Sequence, residues 1–111
     1  MIFIVVKFRV KDGDREGFLA ATRQFTEATR AEPGNKWFEW SLSVEDPHEV
    51  VLVEAFEDDA AAAHVNSEHF AQGLEAMRPW LTETPRIISR TIDGNDWDEM
   101  GELKISARPK G

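Results

Sequence analysis

His64 and His69 stand on either side of Asn66 and Ser67, and Glu54 sits inside the apolar run Val51-Leu52-Val53-Glu54-Ala55-Phe56. These side chains can move protons: an imidazole as general base, a carboxylate to orient it, and an amide or a helix-start N–H to steady a developing oxyanion. Glu54 or Glu39 is the candidate to orient His64, and Asn66 the candidate for the oxyanion. Each has a structural reading beside the chemical one. A histidine in a two-part helix can be a satisfied or capping group, Asn66 can cap, and Glu54 can pair with Arg86 or Arg90 because a carboxylate among apolar residues needs a partner. Phe38 and Trp40, two apart on one strand face, can fill the core, floor an aromatic pocket, or do both. His48 belongs to an exposed turn.

Other chemistries are excluded by what is missing. The chain has no cysteine, no Gly-rich phosphate loop, no HExxH and no GxSxG, so most site signatures are absent and only softer constellations remain. Thirteen Lys and Arg against twenty-one Asp and Glu give 13 − 21 = −8, and no basic patch interleaved with aromatics occurs, which argues against nucleic acid as a partner. No apolar run reaches the roughly 20 residues of a membrane span. Met1 to Val10 lacks a basic leader and reads as a strand; with no cysteine, a cytoplasmic location fits best.

The elements that must position these residues follow from periodicity. Ile2, Ile4, Val6, Phe8 and Val10 alternate along a first strand, and Phe18, Thr22, Phe25 and Thr29 mark a helix over about 14–31, capped by Asp14 and stopped by Glu32-Pro33-Gly34. Trp37 to Val44 and Val50 to Glu57 form a hairpin through Glu45-Asp46-Pro47-His48. An alanine-rich helix then runs to about Asn66, where Ser67 caps a second segment carrying Phe70, Leu74, Met77 and Leu81. Pro85 opens a last strand, Arg86 to Ile92, and a tail begins at Gly94, within which Leu103 and Ile105 could form a short arm strand. The order is βαββαβ: a four-stranded antiparallel α+β sheet with helices on one face. Strands one and three are apolar on both faces, around Val5 and Val51 to Val53, so a homodimer packed sheet against sheet is expected.

Glu32-Pro33-Gly34, Trp37 to Ser41, Glu45-Asp46-Pro47, the Glu54 strand and Ala63-His64-Val65-Asn66-Ser67-Glu68-His69-Phe70 together resemble the antibiotic biosynthesis monooxygenase superfamily, especially its small quinol monooxygenases. The resemblance covers roughly residues 1–93, with 94–111 a tail that could pack as an arm on the partner subunit. It implies a ferredoxin-like fold, a dimeric α+β barrel, a cavity between sheet and helices, and oxidation of an aromatic quinol or polyketide-like phenol by O2 without metal or flavin. On this reading His64 is the base, Asn66 steadies the oxyanion, Glu54 or Glu39 orients the imidazole, and Phe38, Trp40, Glu39, His69 and Phe70 contact substrate.

A phenol with a pKa near 10 gives its proton to an imidazole near 6.5 only uphill, by about 5 kcal/mol, so the phenolate must be stabilised. Relatives often carry Tyr in place of Phe38 and a smaller apolar residue in place of Trp40, which makes the expected pocket narrower and removes a hydroxyl. Haem-degrading relatives place an Asn, a Trp and an iron-binding His where this chain has Val6, His64 and Leu74, so haem oxygenation is not implied. Two other functions are compatible with the same residues: a dimer that binds a small aromatic ligand without turnover, and a lactone or polyketide isomerase or cyclase.

Overall fold

The computed structural model describes residues 1–106. Strands β1 (Ile2–Arg9), β2 (Asn35–Leu42), β3 (Glu49–Phe56) and β4 (Arg86–Thr91) form one sheet in the order β2-β3-β1-β4. All three pairings are antiparallel. The helices α1 (Arg15–Ala21), α2 (Arg23–Arg30), α3 (Ala61–Val65) and α4 (Glu68–Met77) follow β1 and β3 in pairs. The expected α+β, ferredoxin-like βαββαβ architecture with helices on one face is therefore present. No helix is long and apolar enough to cross a membrane among the described residues.

Alternation decides which side chains meet the helices, because successive residues of a strand point to opposite faces. Val6, Phe8 and Val10 of the first strand and its extension, Phe38 of β2, and Val50, Leu52 and Phe56 of β3 are buried on the helical face. Phe18, Phe25 and Met77 close the core from above. Aromatic edges meet faces there: Phe25 lies 5.5 Å from Phe38 at 84°, and Phe18 lies 5.7 Å from Trp40 at 89°. The opposite face carries Phe3, Val5, Val51 and Val53, which remain half-exposed.

The single helix expected over about 14–31 is two helices hinged at Thr22. The Thr22 hydroxyl donates to the Leu19 carbonyl at 2.9 Å, and its backbone sits at φ −93°, ψ 1°. Such a back-bond competes with the helical ladder and bends the chain. Asp14 caps as expected, accepting from the Gly17 N–H at 3.0 Å. The break between α3 and α4 also falls at the expected place, with Ser67 Oγ accepting from the Phe70 N–H at 3.2 Å. β2 begins two residues earlier than its alternation suggests and ends before Val44. Arg15 takes the Ser43 carbonyl at 2.8 Å and the Asp46 N–H donates to Ser43 Oγ at 3.0 Å, so the chain is already turning there.

The tail departs from expectation. Gly101–Leu103 is a 3-10 turn and not part of an arm strand, and Leu103 and Ile105 are exposed. Trp97 instead lies 5.1 Å from Trp37, at 33°, over the open face of its own sheet. Residues 107–111, which end the proposed arm, lie outside the described residues.

Close packing of α2 on α4 rests on Gly73, where a Cβ would meet the Phe25 ring at 2.6 Å. The Gly73→Ala protein should lose roughly 1–3 kcal/mol from overpacking, less the fraction of a kilocalorie that alanine returns in a helix. A melting temperature several degrees lower in thermal unfolding is the expected result. An unchanged or higher value would show that the two helices do not approach so closely.

Candidate active site

Three separate turns bring one carboxylate and two imidazoles together. The Glu32-Pro33-Gly34 turn ends α2: the Glu32 N–H donates to the Thr29 carbonyl at 3.0 Å, and the Gly34 carbonyl accepts from the Glu57 N–H at 2.9 Å. Gly34 is required by proximity, since a Cβ there would lie 2.1 Å from that of Ala60. That contact docks the turn against the start of the second helical pair. His64 lies in the last turn of α3, and the Ser67 cap restarts the chain so that His69 falls in the first turn of α4.

Glu32 Oε2 is 2.8 Å from His64 Nδ1 and also meets His69 Nε2. An ionised carboxylate only accepts, so it draws an N–H from each ring and leaves Nε2 of a neutral His64 as the free acceptor. His64 is only 5% exposed. Its ring is boxed by Phe56 at 4.7 Å, Phe70 at 5.0 Å edge-on, and Phe25 at 5.8 Å. His69 and Glu32 are partly open to solvent. The three ligand-type atoms lie within 4.8 Å of one another.

Glu54 lies beneath this group on the helical face of β3, between Ile4 of β1 and Phe38 of β2. It is 6% exposed and its Oε1 has no hydrogen-bond partner. Burial, and after it the charge of Glu32, pushes its carboxyl up to about 7. The structure corrects the expectation that Arg86 or Arg90 satisfies it. Both arginines are on the open face, paired in register with Lys7 and Phe3; Arg86 reaches Glu49 at 3.7 Å, and Arg90 donates to the Ser89 carbonyl.

The orienting role expected for Glu39 or Glu54 is corrected in the same way. Glu39 is exposed and opposite Val53 on the far face of the sheet, and Glu54 makes no hydrogen bond to His64; the group that holds the imidazole is Glu32. Asn66 is exposed at the end of α3 and its side chain makes no hydrogen bond, so it is not gathered with the others. Phe38 is fully packed in the core. Trp40 donates its indole N–H to Thr26 Oγ1 at 2.8 Å and borders an open groove of about 460 Å³ beside α1 and α2. Phe70 and His69 do stand beside His64.

Two further hollows flank α4. A cleft of about 340 Å³ lies between its C-terminal end and the strand layer, lined by Phe8, Leu74, Met77 and Leu81. A groove of about 240 Å³ runs between α2 and α4, lined by Phe25, His69 and Gly73. His64 borders none of these hollows directly; His69 borders the last. Glu32 is the site residue that sequence reasoning took for a turn. No spacing in the sequence marks it: that both histidines turn toward the end of α2 and share an acceptor there is a fact of the fold.

Residues 1–76 match the antibiotic biosynthesis monooxygenase family. "Putative monooxygenase YcnE" of Bacillus subtilis (strain 168) is 30% identical over 91 residues, covering 82% of this chain and 96% of that protein. A solved structure, "Putative antibiotic biosynthesis monooxygenase from Nitrosomonas europaea", superposes with a TM-score of 0.75 at 30% identity, covering 85% of this chain and all of the other. Rv0793 from Mycobacterium tuberculosis shares the fold, with a TM-score of 0.73 at 20% identity over 85% of this chain and 96% of its own.

Glu54 gives stability a defined pH dependence. Its folded pKa, about 7, lies above the ordinary carboxyl value of 4.5, so between the two the folded state holds a proton that the unfolded chain has released. The stabilisation is complete below about 4.5 and declines as pH rises through about 7, by up to about 3 kcal/mol. The Glu54→Gln protein should match the wild type near pH 5 and exceed it near pH 8 in urea unfolding. Parallel pH curves for the two proteins would mean that Glu54 ionises freely.

Proposed function

Because the chain belongs to the antibiotic biosynthesis monooxygenase family, we propose that it oxidises a small aromatic quinol or phenol with O2, using its own side chains for proton transfer and no metal or flavin. The observation that carries this reading is the Glu32 carboxylate between two imidazoles inside an aromatic box. Triplet oxygen reacts slowly with closed-shell molecules, but a phenolate can give it one electron. His69, the imidazole that borders the α2–α4 groove, takes the phenolic proton, and the radical pair joins as a peroxide on a ring carbon that bears hydrogen. The hydrogen of that carbon passes to the peroxide as a proton, the O–O bond breaks as C=O forms, and the departing hydroxide takes back the phenolic proton from the imidazole, so phenol and O2 become quinone and water.

His64 and His69 share one carboxylate oxygen, which holds both rings in place, and His69 is the one of the two that reaches the α2–α4 groove. At about 240 Å³ that groove is smaller than most drug-sized sites, which favours a one- or two-ring substrate. Asn66 is not required here; Phe25 and Phe70 supply the aromatic contacts that Phe38 and Trp40 were expected to make. A proton-transferring isomerase would use the same dyad, and it would keep turning over without oxygen.

The family's dimer is part of the proposal. Ile87 and Ile88 of the edge strand are 60% and 61% exposed on opposite faces, and Val5, Val51 and Val53 are only half covered. A second copy laid against the open face removes this apolar surface from water. In that assembly residues 1–93 form the folded domain, and the tail from 94 to 106 reaches the partner from the open face, where Trp97 packs on Trp37. A cytoplasmic setting fits the cysteine-free chain.

Oxygen uptake by purified protein with simple naphthoquinols should fall by about 10²-fold or more in His69→Gln and in Glu32→Gln, and less in His64→Gln. Equal rates in all four proteins would falsify the proton-transfer role. Sedimentation in dilute solution should give twice the chain mass, and Ile88→Glu should shift it toward a single chain; a wild-type monomer would remove the dimer from the proposal.

A further inference from the structure

We propose that Glu32, His64 and His69 form a binding site for one divalent first-row transition metal ion. Two imidazole nitrogens and a carboxylate oxygen are a donor set suited to Zn2+, Co2+, Ni2+ or Cu2+, and three protein ligands leave further positions for water. The ligand atoms already lie within 4.8 Å of one another and converge from three separate turns. Their supports are fixed: the Gly34 contact with Ala60 holds the carboxylate, the Ser67 cap holds His69, and Phe56 and Phe70 hold the His64 ring.

Charge points the same way. Among the described residues, neither Glu32 nor the buried Glu54 pairs with a lysine or arginine; the histidines are the only partners of Glu32, and Glu54 has none. A carboxylate whose side-chain partners are two imidazoles, with no lysine or arginine paired to it, favours a cation held among the three. Of the charged groups nearby, Lys36 and Glu57 are paired with each other at 3.3 Å, and Arg30 donates to the Phe38 carbonyl at 2.8 Å.

Occupancy has a consequence that rests on the function proposed above. A metal on Nε2 of His69 leaves its proton on Nδ1, so a filled site cannot accept a proton there, and metal should inhibit turnover. Binding itself does not depend on that function, so the two can fail separately.

The test is titration of the chelator-treated protein with Co2+, followed by its visible d–d absorption, with Zn2+ as competitor. One Co2+ per chain is expected in the wild type and in His48→Ala, which alters the one histidine outside the cluster. Glu32→Gln and His69→Gln should each weaken binding at least roughly 10-fold, while their melting temperatures without metal show that they fold. Zn2+ should raise the melting temperature of the wild type and not of these variants. No Co2+ band in the wild type, or a band of equal affinity in folded Glu32→Gln and His69→Gln, overturns the proposal.

Discussion

One carboxylate oxygen ties the two halves of the chain together. Glu32 belongs to the first helical pair and the two histidines to the second, and these halves are otherwise joined through the sheet and through the packing of α2 on α4. A buried imidazole with an unsatisfied N–H costs more than a typical hydrogen bond returns, so the position of Glu32 is dictated as much by His64 as the reverse. The turn must therefore stop α2 at one place. Pro33 cannot continue the helix, and Gly34 lets the backbone come against Ala60 without a side chain between them.

The parity of the strands sets what lies below that carboxylate. Glu54 is on the even-numbered face of β3 with Val50, Leu52 and Phe56, all of them covered by helices. Moving it one residue would have put it on the open face beside Arg86 and Arg90, where a carboxylate needs no special arrangement. In its actual place it is neutral or costly. A residue that weakens the core when ionised, and that has its charge coupled to Glu32, makes more sense as part of a site than as scaffolding.

Much of the fold was legible because it depends on local rules. Alternation in β1 and β3, the Asp14 and Ser67 caps, and the Pro33-Gly34 stop each gave an element close to where it occurs. The misses arise where periodicity alone did not decide the structure. Thr22 has the spacing of a helix interior but bonds back to Leu19 and bends the chain. The alternation of Leu103 and Ile105 finds no strand to pair with among the described residues, and Gly101–Leu103 is a 3-10 turn. The site was less legible still. His64 was visible as a candidate, but its partner is Glu32, thirty-two residues earlier, and nothing in spacing distinguishes that glutamate from a turn residue. Glu54 was noticed for its surroundings, yet the choice of Arg86 or Arg90 as partner ignored the face on which each must lie.

The same geometry explains why the site lies at this end of the helical layer. At the other end, Phe8, Phe18, Phe38 and Trp40 pack tilted or edge to face within 5.7 Å of their neighbours, and Thr26 satisfies the indole. The hollows at that end, the cleft beside Phe8 and the groove beside Trp40, are lined by no imidazole. At the His64 end the rings of Phe25, Phe56 and Phe70 surround polar groups, and the break at Asn66 and Ser67 opens the helix so that two histidines on successive short segments can point to one acceptor. A continuous helix would have set His64 and His69, five residues apart, well to opposite sides of its axis. The interruption in the helix is therefore what makes a site from these residues, and the capping serine that creates it acts on the chemistry only through the direction it gives His69.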